Sequence, residues 1–285
     1  MRVLVTGARG QLGSDVVQEL INQNIQFIGL DINKLDLTDF ESTKEVLLKY
    51  MPDVVIHSAA FTDVEKAEVE VENCRRINVE ATGNIAMLCK MINAKLVYIS
   101  TDYVFSGENT SPYEIDSETG PLSVFGESKL DGEFEVLKRM EEYFVIRTSW
   151  AYGVNGKNFV NTMLSIGEKR ESVNVVADQI GSPTYTTDLA RLIIDMIKTE
   201  RYGIYHATNE GFCSWAEFAM EIFKLANYKT KVNFISSEMY PVKAIRPKNS
   251  TMSKKSLYEN GFNLLPSWEV SLKDYLKKIN ILIEN

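Results

Sequence analysis

Histidine and cysteine are scarce in the 285-residue sequence: two histidines, His57 and His206, and three cysteines, Cys74, Cys89 and Cys213. They make no cluster with zinc-ligand spacing, so no metal is expected. An odd, sparse set of thiols excludes a disulfide framework and fits a reducing, cytoplasmic setting. No apolar run approaches the ~18 residues of a membrane span. The opening Met1-Arg-Val-Leu-Val-Thr-Gly turns polar too soon for a signal peptide. Positive charge is in deficit, with 31 Lys and Arg against 39 Asp and Glu and a formal net charge of −8. Such a surface attracts neither nucleic acid nor anionic membrane, so an anionic ligand must be held by local groups. The rest is ordinary: 45% hydrophobic and 25% charged residues exclude disorder and collagen-like folds.

This length leaves room for one large domain or two modest ones. Short runs at 2–6, 25–30, 53–57, 95–100 and 144–148 read as buried strands. Helical spacing of apolar residues falls between them, at 11–22, 39–51, 74–92 and 121–133. Asp39 is placed to cap the second helix and Pro52 to stop it. Strands alternating with helices imply right-handed crossovers and a doubly wound α/β fold, a Rossmann-type parallel sheet covered on both faces. After about residue 152 the rhythm changes. Helical stretches at 158–169, 187–198 and 214–226 alternate with strand pieces at 173–176, 204–207 and 232–235. The last of these helices opens on Ser214-Trp-Ala-Glu217, a capping-box pattern.

Thr6-Gly7-Ala8-Arg9-Gly10-Gln11-Leu12-Gly13 links the first strand to the first helix, with glycines spaced Gly-x-x-Gly-x-x-Gly. Glycines there allow a tight turn, close approach to a pyrophosphate and close helix–strand packing. The phosphates would lie at a helix N-terminus, whose free N–H groups favour anions. A glycine triplet alone is weak; its place between a strand and an amphipathic helix strengthens it. The expected layout is therefore a dinucleotide-binding domain over 1–150, with residues near 178–203 returning to it, and a smaller mixed α/β substrate domain over 151–285. Asp31 ends the second strand, where a carboxylate accepts hydrogen bonds from the adenosine ribose. Arg9 would instead pair with a 2′-phosphate. The two point to opposite cofactors, so NADPH and NADH both stay open.

Further motifs follow: Asp36-Leu-Thr-Asp39, His57-Ser-Ala-Ala-Phe-Thr62 with Glu65-Lys-Ala-Glu68, and Ser100-Thr-Asp-Tyr-Val-Phe105. Pro121-Leu-Ser-Val-Phe125-Gly-Glu-Ser-Lys129 places Phe125 and Lys129 four apart, on one helical face. Later come Arg147-Thr-Ser-Trp-Ala-Tyr-Gly153, Asp178-Gln-Ile-Gly-Ser-Pro-Thr184, Cys213-Ser-Trp215 and Arg246-Pro-Lys-Asn-Ser250. Together these resemble the extended short-chain dehydrogenase/reductases and, within them, the dTDP-4-dehydrorhamnose reductase family, over essentially the whole chain.

The resemblance implies hydride transfer from NADPH or NADH to the keto group of a dTDP-linked sugar, dTDP-4-dehydro-L-rhamnose. The family's pair is Tyr-x-x-x-Lys, the tyrosine donating a proton and the lysine lowering its pKa and holding the nicotinamide ribose. A strand-end threonine bonds the same oxygen. Carried over, Lys129 is the lysine and Thr101 the hydroxyl, but the tyrosine position is Phe125. A phenylalanine cannot be a general acid, and losing one typically costs ~10²–10⁴-fold in rate. Either the proton comes from Tyr103, Thr101 or a water, or the residue was substituted to trap complexes, or catalysis has been lost. The resemblance also implies cofactor contacts at Asp36, Leu37, Ala59, Ala60 and Phe61. It implies substrate contacts at Asp102, Tyr103 and Trp150. Arg246 has two readings, a diphosphate ligand or a salt-bridge partner. A monomer or homodimer is expected. Two other readings remain: a related nucleotide-sugar epimerase, though such chains are usually longer, and a non-catalytic dinucleotide-binding regulatory subunit.

Overall fold

The computed structural model describes residues 1–282. Five strands, β1 (Arg2–Thr6), β2 (Gln26–Leu30), β3 (Val54–His57), β4 (Lys95–Thr101) and β5 (Tyr143–Thr148), join a sixth at Gly203–His206. All six are parallel, in the order β2, β1, β3, β4, β5, then Gly203–His206. Every residue of β3 is buried, as expected of a strand covered on both faces. The order reverses at β1, which has β2 on one side and β3 on the other. A crevice at the carboxyl ends of β1 and β3 follows, the usual ligand position in such sheets.

Helix Gln11–Asn22 buries Leu12, Val16 and Leu20. They share one core with Leu189, Ile193 and Ile194 of helix Thr186–Ile197 and with Tyr205 of the sixth strand. The segment 186–207 therefore returns to the first core, and Leu257, Phe262 and Leu265 join it from further downstream. Just before it, Ile180–Gly181 pairs with Cys213–Ser214 instead. Asp39 caps helix Phe40–Tyr50 by accepting the Ser42 N–H at 3.1 Å. Met51, at φ +43°, ends it ahead of Pro52.

The single helix expected over 74–92 is interrupted. An α-helical turn at Val71–Arg75 passes into a π-helical one at Arg76–Glu80, and α-helix resumes at Ala81–Ile92. The helix expected to begin at Pro121 starts at Val124 and runs to Arg139, with Ser123 accepting the Gly126 N–H at 3.2 Å.

The second half surrounds its own core, in which Tyr152, Phe218, Trp268 and Tyr275 pack together. Its strands come in small pairs: Ala151–Tyr152 with Thr184–Tyr185, and Ser172–Val176 with Lys231–Ile235. The capping box forms, Ser214 Oγ accepting the Glu217 N–H at 3.1 Å and Glu217 Oε2 accepting the Ser214 N–H at 2.7 Å.

Candidate active site

The glycine loop closes on the switch point. Gly7 has φ +64°, and a Cβ there would stand 2.9 Å from the Ala59 backbone. A Cβ on Gly13 would collide with the Gly7 carbonyl. The loop is thus pressed flat, with Gly10 donating to the Gly7 carbonyl at 2.9 Å. Gly10 is the N-cap of helix Gln11–Asn22 and no side chain caps it. The first-turn N–H groups of Gln11, Leu12 and Gly13 therefore face outward for an anion. The Gln11 side chain does something else. Its Oε1 accepts from Gly153 N–H at 3.1 Å and Asn158 Nδ2 at 3.2 Å, and its Nε2 donates to the Lys157 carbonyl at 3.2 Å.

Arg9 and Asp31, read from sequence as rivals, are partners here. The Arg9 N–H donates to Asp31 Oδ1 at 3.1 Å and its Nε stands 3.8 Å from Oδ2. Asp36 accepts from the Thr38 hydroxyl at 2.7 Å and its N–H at 2.9 Å, which holds its carboxyl below the usual range. Leu37 packs on the core beneath β1 and β3. Ala59, Ala60 and Phe61 follow β3, all partly exposed. Asn78, in the π-helical turn, holds both backbone polar groups of Phe61: its Oδ1 accepts the N–H at 2.8 Å and its Nδ2 donates to the carbonyl at 3.1 Å. The same Nδ2 reaches Ser128 Oγ at 3.0 Å.

Helix Val124–Arg139 docks on the end of β4 through its glycines. A Cβ on Gly126 would strike the Tyr103 carbonyl, and one on Gly132 the Tyr98 hydroxyl. This close approach sets Phe125 against Tyr103 and Lys129 over Tyr98, residues on either side of Thr101 in the chain. Lys129 is 3% exposed, and its Nζ lies 4.0 Å above the Tyr98 ring centroid. Burial pushes its ammonium down to about 7, while Glu133 and Cys74 pull the other way. Phe125 is buried, its ring set edge-on against Tyr103 at 5.7 Å between centroids. Thr101 Oγ1 accepts the Tyr103 N–H at 3.2 Å and donates to Asp102 Oδ1 at 3.0 Å. Asp102 is 2% exposed and its Oδ2 has no protein partner. Burial raises its carboxyl to about 7, with Ser250 and Thr101 opposing. Behind the site, Arg147 Nη2 meets Glu133 Oε2 at 2.8 Å, both buried, and Ser100 also bonds Glu133.

Trp150 has φ +46°, unusual for a bulky residue and a common mark of functional sites. Trp215 stacks on it, centroids 3.5 Å apart and rings 10° from parallel. A Cβ on Gly181 would lie 2.6 Å from the Trp150 ring and 2.8 Å from Ser250 Oγ. Arg246 pairs with Glu65 at 3.2 Å, the salt-bridge alternative, while its buried Nε has no partner.

Asn78, Ser250 and Trp215 were given no role from sequence. Trp215 and Ser250 lie in quoted motifs, but only the fold carries them to Trp150 and Gly181. His57 is held between Thr6 Oγ1 at 2.8 Å and Thr82 Oγ1 at 3.1 Å. Burial and then Lys129 push its imidazole down to about 3, so it stays neutral. Asp15 accepts from Thr186 Oγ1 at 2.6 Å and faces Lys278 Nζ at 3.5 Å. Among the described residues, no three His, Cys, Asp or Glu side chains are grouped to hold a metal. No helix among them is long and apolar enough to cross a membrane.

A glycine loop at a sheet switch point, beside a strand-end threonine and a buried helical lysine, defines a dinucleotide-dependent oxidoreductase of the Rossmann class. The profile of the RmlD substrate binding domain matches residues 1–281. The spore coat polysaccharide biosynthesis protein SpsK of Bacillus subtilis is 39% identical over 97% of this chain and 97% of its own. The dTDP-4-dehydrorhamnose reductase of Aggregatibacter actinomycetemcomitans is 37% identical over 96% and 97%. A crystal structure of that enzyme from Bacillus anthracis, in complex with NADP, superposes with a TM-score of 0.95 at 42% identity, covering 97% of this chain and 99% of that one. The chain belongs to the dTDP-4-dehydrorhamnose reductase family.

Proposed function

We propose that this chain reduces the keto group of dTDP-4-dehydro-L-rhamnose to give dTDP-L-rhamnose, with NADPH as the reductant and NADH as the alternative. What supports this reading is an uncapped helix start at Gly10, a buried strand-end Thr101 and a buried Lys129, in a chain matched to the family over residues 1–281. The loop fits a dinucleotide, since Gly13 without a Cβ lets the loop close on the Gly7 carbonyl and the helix start is left without a side-chain cap. A bound reduced nicotinamide supplies hydride to the keto carbon. Gln11 to Gly13 hold its pyrophosphate on their N–H groups, and Arg9, which is 74% exposed beside Asp31, faces a 2′-phosphate. Lys129, held rigidly in its buried slot, binds the nicotinamide ribose. Thr101 hydrogen-bonds the keto oxygen. The Trp150–Trp215 stack offers an apolar platform for the deoxysugar, and Arg246, partly exposed beside Glu65, would offer its guanidinium to a diphosphate oxygen. In this division of labour residues 1–150 with 186–207 hold the dinucleotide and the remainder holds the sugar. The chain would act in the cytoplasm as a monomer or homodimer.

NADPH oxidation with dTDP-4-dehydro-L-rhamnose, measured for the native chain and for Phe125→Tyr, tests the assignment. A gain of about 10²–10⁴-fold in kcat is expected from restoring an acid at that position. If neither protein turns over and neither binds the sugar nucleotide, the reductase reading fails. Sugar-nucleotide binding without turnover in the native chain, with turnover in Phe125→Tyr, would support the binding-protein alternative.

A further inference from the structure

Adding hydride to a carbonyl carbon pushes the C=O π pair onto oxygen, and that oxygen must take a proton. Phe125 has none to give. Lys129 Nζ is seated over the Tyr98 ring. Tyr103 lies edge-on to Phe125, and burial and then Asp102 push its phenol further up. Thr101 is different, because its hydroxyl is already linked to an ionisable group: Asp102 Oδ1, at 3.0 Å. The other Asp102 oxygen is buried with no protein partner, so the carboxyl is not tied up in an ion pair. The Tyr103 N–H, 3.2 Å from Thr101 Oγ1, holds the hydroxyl oxygen in place and stabilises negative charge on it.

We propose that Asp102 is the acid of this enzyme and acts through Thr101. This rests on the reductase reading above. The carbonyl carbon gains the hydride and its oxygen takes the Thr101 hydroxyl proton. For this the Thr101 hydroxyl turns from Asp102 Oδ1 to the substrate oxygen, and the protonated Asp102 donates across the same 3.0 Å contact to Thr101 Oγ1, which takes its proton in the same step. Asp102 is left as a carboxylate and regains a proton from water after product leaves. The groups facing Asp102 suit this role. Thr101 and Ser250 offer hydroxyls, and Tyr103 is the adjoining phenol. Arg246 and Glu65 stand beyond Tyr103 as an ion pair, and Lys129 lies on the neighbouring helix. Burial, not a neighbouring cation or anion, is what keeps the carboxyl protonated near neutrality.

The test is a cycle of Asp102→Asn and Phe125→Tyr, with Thr101→Val and Tyr103→Phe alongside. Asp102→Asn is expected to lower kcat by about 10²-fold or more in the native background and by under about 10-fold in Phe125→Tyr, where a phenol supplies the proton. Native kcat should fall as pH rises through about 7, the carboxyl's value, and Phe125→Tyr should move that fall upward. Thr101→Val should cost the native chain as much as Asp102→Asn. Equal losses from Asp102→Asn in both backgrounds would make its role structural and overturn the proposal. So would a native loss reproduced by Tyr103→Phe but not by Asp102→Asn. A second readout needs no turnover: infrared titration of the cofactor-free protein should show a protonated carboxyl band persisting to near pH 7 and absent in Asp102→Asn. Its absence from the native protein overturns the proposal even if every variant is inactive. Inactivity of Phe125→Tyr with that band present counts against the reductase reading, while failure of Asp102→Asn to change an active native enzyme counts against the relay alone.

Discussion

Phe125 differs from a tyrosine by one oxygen atom, and its ring is buried, edge-on to Tyr103, one helical turn before Lys129. Retaining Lys129 carries a cost that the fold does not need for its own sake. Its ammonium sits near 7 in the folded chain against 10.5 when unperturbed, chiefly through burial. Between those values the unfolded chain holds the extra proton, so this residue makes stability rise with pH across that window. Below about pH 7 the buried charge penalises the folded state in full. Lys129→Met should therefore stabilise the cofactor-free protein at pH 6 by about 1–4 kcal/mol while abolishing turnover. Urea unfolding of both proteins at pH 6 and pH 10 checks this, and the difference between them should shrink at the higher pH. An equal difference at both values would mean that Lys129 titrates in the folded chain as it does unfolded, and that its slot does not penalise the charge. Residue types in the Phe125–Lys129 spacing were legible from sequence. The unpartnered Asp102 oxygen was not, because burial is a property of the folded neighbourhood.

Elements, rather than single side chains, create the crevice. The strand–loop–helix unit at 2–22 was readable because its signals are local: a β-branched run, glycines at fixed offsets and an apolar helical stripe. Its glycines are not equivalent. A Cβ on Gly13 meets the Gly7 carbonyl head-on, whereas one on Gly10 stands 3.2 Å from the same oxygen. Gly13→Ala should destabilise the protein by about 1–3 kcal/mol and weaken NADPH binding at least tenfold. Gly10→Ala should cost clearly less on both counts. Thermal unfolding with and without NADPH separates the two, and equal effects would show that the loop is looser than its packing implies. The π-helical turn at Arg76–Glu80 was illegible. One extra residue in a turn leaves the apolar pattern of a long helix nearly intact, and only the Asn78 contacts to Phe61 and Ser128 reveal what it positions. The two-residue strands were unreadable for a similar reason, since long-range pairing alone defines them.

At the scale of the molecule, a net charge of −8 is compatible with the proposed doubly phosphorylated ligands only if attraction is local, as an uncapped helix start at Gly10 would supply. Chain order misleads more than charge does. Reading a first domain over 1–150 with a return near 178–203 follows the strand rhythm, and the core beneath α-helix Gln11–Asn22 is completed by residues still further downstream, to Leu265. Val16 and Leu20 pack with Leu189 and Ile193, and the edge of the sheet beside β5 is covered by Gly203–His206. Gln11 also fastens the helix start to the 153–158 segment. A fragment ending at residue 150 would expose the apolar face of the first helix and leave β5 as an open edge, a liability that folded proteins cover. Such a fragment should be insoluble or lack a cooperative unfolding transition, and should not bind NADPH. The full chain should unfold in one transition that NADPH raises, by about 2.7 kcal/mol at a hundredfold excess over Kd. A soluble 1–150 fragment with the full chain's NADPH affinity would show instead that the first half carries a complete core, and that helix Thr186–Ile197 merely rests on it.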